Sequence, residues 1–188
     1  MKRISFFLPF FLLCFLFGSC TLQVYVENHI ITGDETALVV VSASCNRKYK
    51  RTEQPELTIG MGRDNDSHQT DHRGILSIDA PGLIIAGEYS DYYEYEITDF
   101  SDEKYVWDAN LKKGKVKPTY FQVFLISAPE DSKEGSGTIE IRLSASWEWK
   151  AEGHDRGQTQ TSVKLYYAYN AEHIYFSSVS EKDAIYSL

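Results

Sequence analysis

The densest run of side chains able to hold a metal is Arg63-Asp-Asn-Asp-Ser-His-Gln-Thr-Asp-His-Arg73. Asp64, Asp66 and Asp71 offer carboxylate oxygens suited to a hard cation, and His68 and His72 offer imidazole nitrogens suited to zinc. Asp64-x-Asp66 matches the opening of a twelve-residue calcium loop. The sixth place of that loop needs a glycine for its sharp turn and holds Gln69; the twelfth needs a glutamate and holds Ile75. Three zinc ligands from one flexible loop would also be unusual, so the stronger expectation over 63–73 is a solvated loop joining two strands, with no metal or cofactor. His154-Asp155 has no nucleophile near it in sequence and reads as a polar turn. Phosphate-binding loops, His-Glu-x-x-His and Gly-x-Ser-x-Gly are absent from the sequence. Glycoside hydrolysis needs only two carboxylates at a separation set by the fold, and among 27 acidic residues such a pair carries no information. No residue is therefore assigned a catalytic role.

Aromatic composition is more pointed. Once residues 1–19 are set aside, the chain holds 13 Tyr and 4 Phe, because six of the ten Phe lie in that segment. Tyrosine suits half-wet positions and recognition surfaces, although it also fills cross-strand sites in ordinary sheets. Tyr89, Tyr92, Tyr93 and Tyr95, interleaved with Glu88, Asp91, Glu94 and Glu96, form the candidate binding patch, acidic and aromatic, for a protein or glycan.

The elements that would carry these residues are strands. Over 138–149 the apolar Ile139, Ile141, Leu143, Ala145, Trp147 and Trp149 alternate with Thr138, Glu140, Arg142, Ser144, Ser146 and Glu148, the pattern of a strand with one wet face. A turn-rich stretch over 151–157 then leads into 159–169, where Val163, Leu165, Tyr167 and Tyr169 share a face, so the two strands read as a hairpin. Further strands are expected over 22–30, 36–45, 56–61, 74–80, 83–86, 92–98, 119–127 and 173–179. Turns are expected at Gly33-Asp34, Pro81-Gly82 and Glu134-Gly-Ser-Gly137. About ten short strands predict an all-β, antiparallel β-sandwich, immunoglobulin-like or jelly-roll-like. One short helix is predicted over 102–113, with Ser101 as its N-cap, acids in its first turn, Lys112 and Lys113 in its last, and Gly114 closing it. Cys45 falls on the same face as Ala37, Val39, Val41 and Ala43, which predicts burial as a small hydrophobe.

The N-terminus carries an address. Lys2 and Arg3 precede an apolar stretch from Ile4 to Phe17, too short and too interrupted by Pro9 to span a bilayer, and Gly18-Ser19 lead to Cys20. Leu16-Phe17-Gly18-Ser19-Cys20 resembles the lipobox of bacterial lipoproteins, with Phe17 where that motif usually holds leucine. The resemblance, which covers the first 20 residues only, implies cleavage before Cys20 and attachment of acyl chains there. An ordinary signal cut by another peptidase would leave Cys20 a thiol. On the lipoprotein reading, 1–19 is a signal peptide and 20–188 a single domain held to the membrane of the bacterial cell envelope through the lipid on Cys20. Whether it faces the periplasm or the surface is left open. Loss of Lys2 and Arg3 takes the formal charge from −8 to −10, a poor basis for nucleic-acid binding. The functional expectation is a binding or structural module recognising an envelope protein or glycan through exposed aromatics. The alternatives are a glycan-active enzyme on a jelly-roll scaffold, marked by converging carboxylates in a pocket, and an envelope assembly subunit, marked by an open edge strand.

Overall fold

The computed structural model describes residues 23–30, 39–64, 69–85, 90–107, 118–150 and 156–188. Among them are twelve strands in two six-stranded sheets, antiparallel except for one short parallel pairing. The protein is the all-β sandwich that its alternation predicts.

The first sheet runs in the order β1 (Gln23–Ile30), β2 (Val39–Asn46), β4 (Glu56–Asp64), β9 (Tyr120–Ser127) and β6 (Ile84–Ile85), with β8 (Val106–Trp107) pairing parallel to β4. The second runs β3 (Lys48–Lys50), β12 (His173–Ser177), β11 (Gly157–Tyr169), β10 (Gly135–Trp149), β5 (Gln69–Asp79) and β7 (Tyr92–Ile97). One core joins them. Val39, Val41, Ala43, Leu57, Ile59, Met61 and Ile126 from the first sheet meet Leu76, Ile78, Ile139, Ile141, Leu143 and Leu165 from the second. Cys45 lies in this core as a free, buried thiol whose burial pushes its pKa up to about 12.

The predicted turn at 134–137 is instead the start of β10. Gly135 pairs with Tyr169 and Gly137 with Tyr167, and at the far end Gly157 of β11 pairs with Trp147. At all three places the aromatic ring lies where a Cβ on the glycine would sit. The glycines thus extend the ladder because the ring opposite fills the space they leave.

The helix predicted over 102–113 is also corrected. Glu103–Tyr105 is a single 3-10 turn, with the Asp102 side chain accepting from the Lys104 N–H at 3.2 Å, and Val106–Trp107 continues directly into β8. Residues 108–113 lie outside the described set. Tyr105 is buried between Phe100 (5.2 Å between ring centres) and Tyr120 (4.8 Å), which draws the chain onto the sandwich after one turn. The one α-helix among the described residues is α1 (Glu181–Tyr186), capped by Ser180. It is pinned to the second sheet by Asp183, which receives hydrogen bonds from Ser177 (2.7 Å) and Arg47 (3.2 Å).

Candidate functional site

The expected 63–73 loop is mostly strand. β4 continues to Asp64 and β5 begins at Gln69, so only 65–68, which includes the candidate ligands Asp66 and His68, lies outside the described residues. Where β5 pairs with β10, Ser146 faces Arg73 and Glu148 faces Thr70, so β5 carries one extra residue. Asp71 takes a φ of 50°, a conformation that Asp tolerates better than most side chains, and forms this β-bulge. The bulge reverses the facing of the residues before it, so Gln69 is buried, while from Asp71 onward the strand keeps one alternation. Asp71 is exposed and paired with Arg73 at 3.4 Å, whereas His72 turns inward.

Inside, the Nε2 of His72 lies 3.2 Å from the Arg63 guanidinium, and its ring centre lies 6.3 Å from that of Trp147. A guanidinium has no acceptor, so this nitrogen accepts and the imidazole is neutral. Arg63 is 3% exposed and also donates to the carbonyls of Phe100 (2.6 Å), Asp64 (3.0 Å) and Ser101 (3.2 Å). Burial lowers its pKa to about 10, against the pull of Asp64, so it is charged at neutral pH. Asp64, Asp71 and His72 therefore face in different directions. Among the described residues no three His, Cys, Asp or Glu side chains are grouped to hold a metal.

The tyrosine cluster is likewise divided by strand alternation. Tyr92 stands on the outer face of the second sheet, 47% exposed, and its hydroxyl donates to Glu94 at 2.7 Å. Tyr93 points the other way and packs edge-on against Phe124, 5.3 Å between centres. Tyr95 shares the side of Tyr93 but lies at the rim, exposed. Tyr89 falls outside the described residues. Tyr92, Tyr93 and Tyr95 thus do not make one patch.

What the register does bring together is the outer face of the second sheet. Glu96, Ile75, Ser144 and Gln160 stand side by side across β7, β5, β10 and β11, and Arg73, Ser146 and Gln158 form the next row. Directly opposed residues in an antiparallel ladder share a face, so each row is a line of neighbouring side chains. Along β10 the side chains are short serines, and on both sides they are long. The result is a half-open trough of about 600 Å³ with a floor at Ser144 and Ser146, one wall at Gln158 and Gln160, and the other at Arg73, Ile75 and Glu96. Beyond it the face closes in a charged row: Glu140 meets Arg142 at 2.7 Å and Lys164 at 4.0 Å, and the Arg142 hydrogen bond holds the Glu140 carboxyl below its usual range.

The trough offers hydroxyl and amide groups that both donate and accept, one guanidinium, one carboxylate and the exposed apolar surface of Ile75. That set can hydrogen-bond a polyhydroxylated ligand and pack against its apolar side. Of these, only Glu96 belongs to the binding patch read from the sequence; Arg73, Ile75, Ser144, Ser146, Gln158 and Gln160 carry no binding role in that reading. The signal present was the pair of serines, Ser144 and Ser146, on the wet face of a long strand otherwise bearing Glu140, Arg142 and Glu148.

The fold and the trough define a two-sheet β-sandwich with a polar, concave outer face. No protein-family model matches the chain, and no curated protein is significantly similar to it. Cys20 and the apolar N-terminal stretch lie outside the described residues. Among the described residues no helix is long and apolar enough to cross a membrane.

Proposed function

We propose that this protein is a bacterial envelope lipoprotein, held to the membrane through acyl chains on Cys20, whose sandwich domain binds a glycan in the trough along β10. The trough is the observation that carries the binding half of the reading. Its volume falls within the roughly 300–1,000 Å³ range of small-molecule sites, and its lining mixes paired donors and acceptors with one apolar side chain. Ser144 and Ser146 leave the floor open, Gln158 and Gln160 reach hydroxyls from one side, and Arg73 and Glu96 do so from the other. The exposed Tyr92 stands on the same face beyond the trough and would extend the contact for a longer chain. The N-terminal charge, apolar stretch and Gly-Ser-Cys ending support the anchor.

Two measurements test the two halves. Intact mass of the natively expressed protein, with and without Cys20→Ala, reads the anchor: acyl mass on a chain that begins at Cys20 is expected, and its absence would refute it. Titration with envelope oligosaccharides, followed by calorimetry, reads the trough. Ser144→Trp should fill the floor and abolish binding while leaving the thermal transition in place. Undiminished binding by a folded Ser144→Trp protein would remove the trough from the reading.

A further inference from the structure

On the outer face of the first sheet, β9 presents Phe121, Val123 and Leu125 in a row, exposed by 55%, 55% and 37%. Their inward neighbours Phe124 and Ile126 belong to the core, so β9 is apolar on both faces. From Thr119 to Ser127 there is no charged residue. Among the described residues β6 pairs with β9 only at Ile126 and Ser127, so the Tyr120–Leu125 stretch lies open beside it, whereas the edge strands β7 and β3 carry exposed charges, Glu94 and Glu96 and Lys48 and Lys50. An uncharged row of three large exposed side chains on an otherwise acidic protein calls for a cover.

We infer that this row rests on the phospholipid bilayer, as a second, reversible contact beside the N-terminal lipid; the inference rests on the lipoprotein reading above. Geometry supports that occupant. Cys20 precedes Gln23 by three residues, a reach of at most about 10 Å. Gln23 pairs with Asn46, Ser44 with Thr58 and Glu56 with Leu125, so the start of β1 lies at the Leu125 end of the sheet. It is separated from β9 by three strand spacings, about 14 Å. A bilayer holding the acyl chains is thus within reach of the row. Phe121, Val123 and Leu125 carry no charge, so the contact is apolar and is met by zwitterionic lipid. Seated this way, the molecule turns the outer face of its second sheet, with the trough, away from the membrane.

The test uses the full lipidated protein in phosphatidylcholine vesicles, carrying an environment-sensitive fluorophore on Val123→Cys or, as control, on Gln160→Cys in the trough. Cys45 is buried and does not compete for the label. The label at 123 should shift to the blue and brighten several-fold on vesicles, while the label at 160 stays as in water. Intact mass is read on the same samples. Acyl mass with an aqueous signal at 123 overturns the docking and leaves the anchor standing. Absence of acyl mass overturns the anchor, and the docking is then read on Val123→Cys in the Cys20→Ala background, where a vesicle-dependent shift supports it and an aqueous signal overturns it. A shift at 123 that needs no vesicles and grows with protein concentration assigns the row to a second copy of this chain and overturns the bilayer contact.

Discussion

Arg63→Met should destabilise the sandwich by about 3 kcal/mol, because the guanidinium is the common donor for four acceptors, two of them on buried residues. Four contacts are lost: Phe100 O, Asp64 O, Ser101 O and His72 Nε2. Ser101 is exposed and Asp64 half-exposed, so water can replace the donor there. Phe100 and His72 are buried, and each orphaned acceptor costs about 1–3 kcal/mol. The sum of about 2–6 is reduced by the relief of no longer burying a charge, which leaves a net near 3. The loss matters for the trough because Arg63 ties β4 to the turn that follows β7. Phe100, in that turn, packs over Gly74, and Glu96 of β7 is one wall. Urea unfolding followed by tryptophan fluorescence reads the effect, since Trp147 sits beside His72. With an m-value near 2 kcal/mol/M, the midpoint should fall by about 1.5 M. Arg63→Lys should recover only part of this, since an ammonium cannot span the same four acceptors. A midpoint lowered by less than about 0.5 M in Arg63→Met would refute the clamp.

Alkali should unfold the protein earlier than an ordinary β-sandwich. Burial pushes Cys45, Tyr105 and Tyr167 each up to about 12 in the folded state, so the unfolded chain loses these protons first. Their contribution is fully present below the unfolded thiol and phenol pKa values, about 9 and 10, and is lost as pH rises towards 12. Urea midpoints should therefore hold from pH 7 to 8 and drop at pH 10 to 11; a flat profile would sink this account. Gly157→Ala places a methyl group against the Trp147 ring and should cost about 1–3 kcal/mol, with a red shift of tryptophan emission as the ring is displaced. Unchanged emission and midpoint would mean that the ring does not depend on the glycine.

Much of the fold is legible in the sequence for one physical reason: where one face of a strand is buried and the other wet, side-chain type must alternate with period two. Ile139, Ile141, Leu143 and Ala145 follow that rule into the core, as does Cys45. The same rule, applied to Tyr92-Tyr93-Glu94-Tyr95, already separates Tyr92 from its neighbours, so the division of that cluster was open to reading. The bulge at Asp71 was not, because one inserted residue reverses the facing of everything before it, and only the partner strand reveals the insertion. Glycines at 135, 137 and 157 look like breakers in one dimension and become ladder positions only when an aromatic ring from the opposite strand covers them. The trough is hidden for the deeper version of the same reason. Glu96, Ile75, Ser144 and Gln160 come from four strands, and no local pattern makes them neighbours. A concave site on a sheet face arises where short side chains on a central strand stand between long ones on its partners. It is therefore a property of register, and a change that slips β10 by one residue against β5 or β11 would turn its polar row inward and erase the site even if every lining residue were retained.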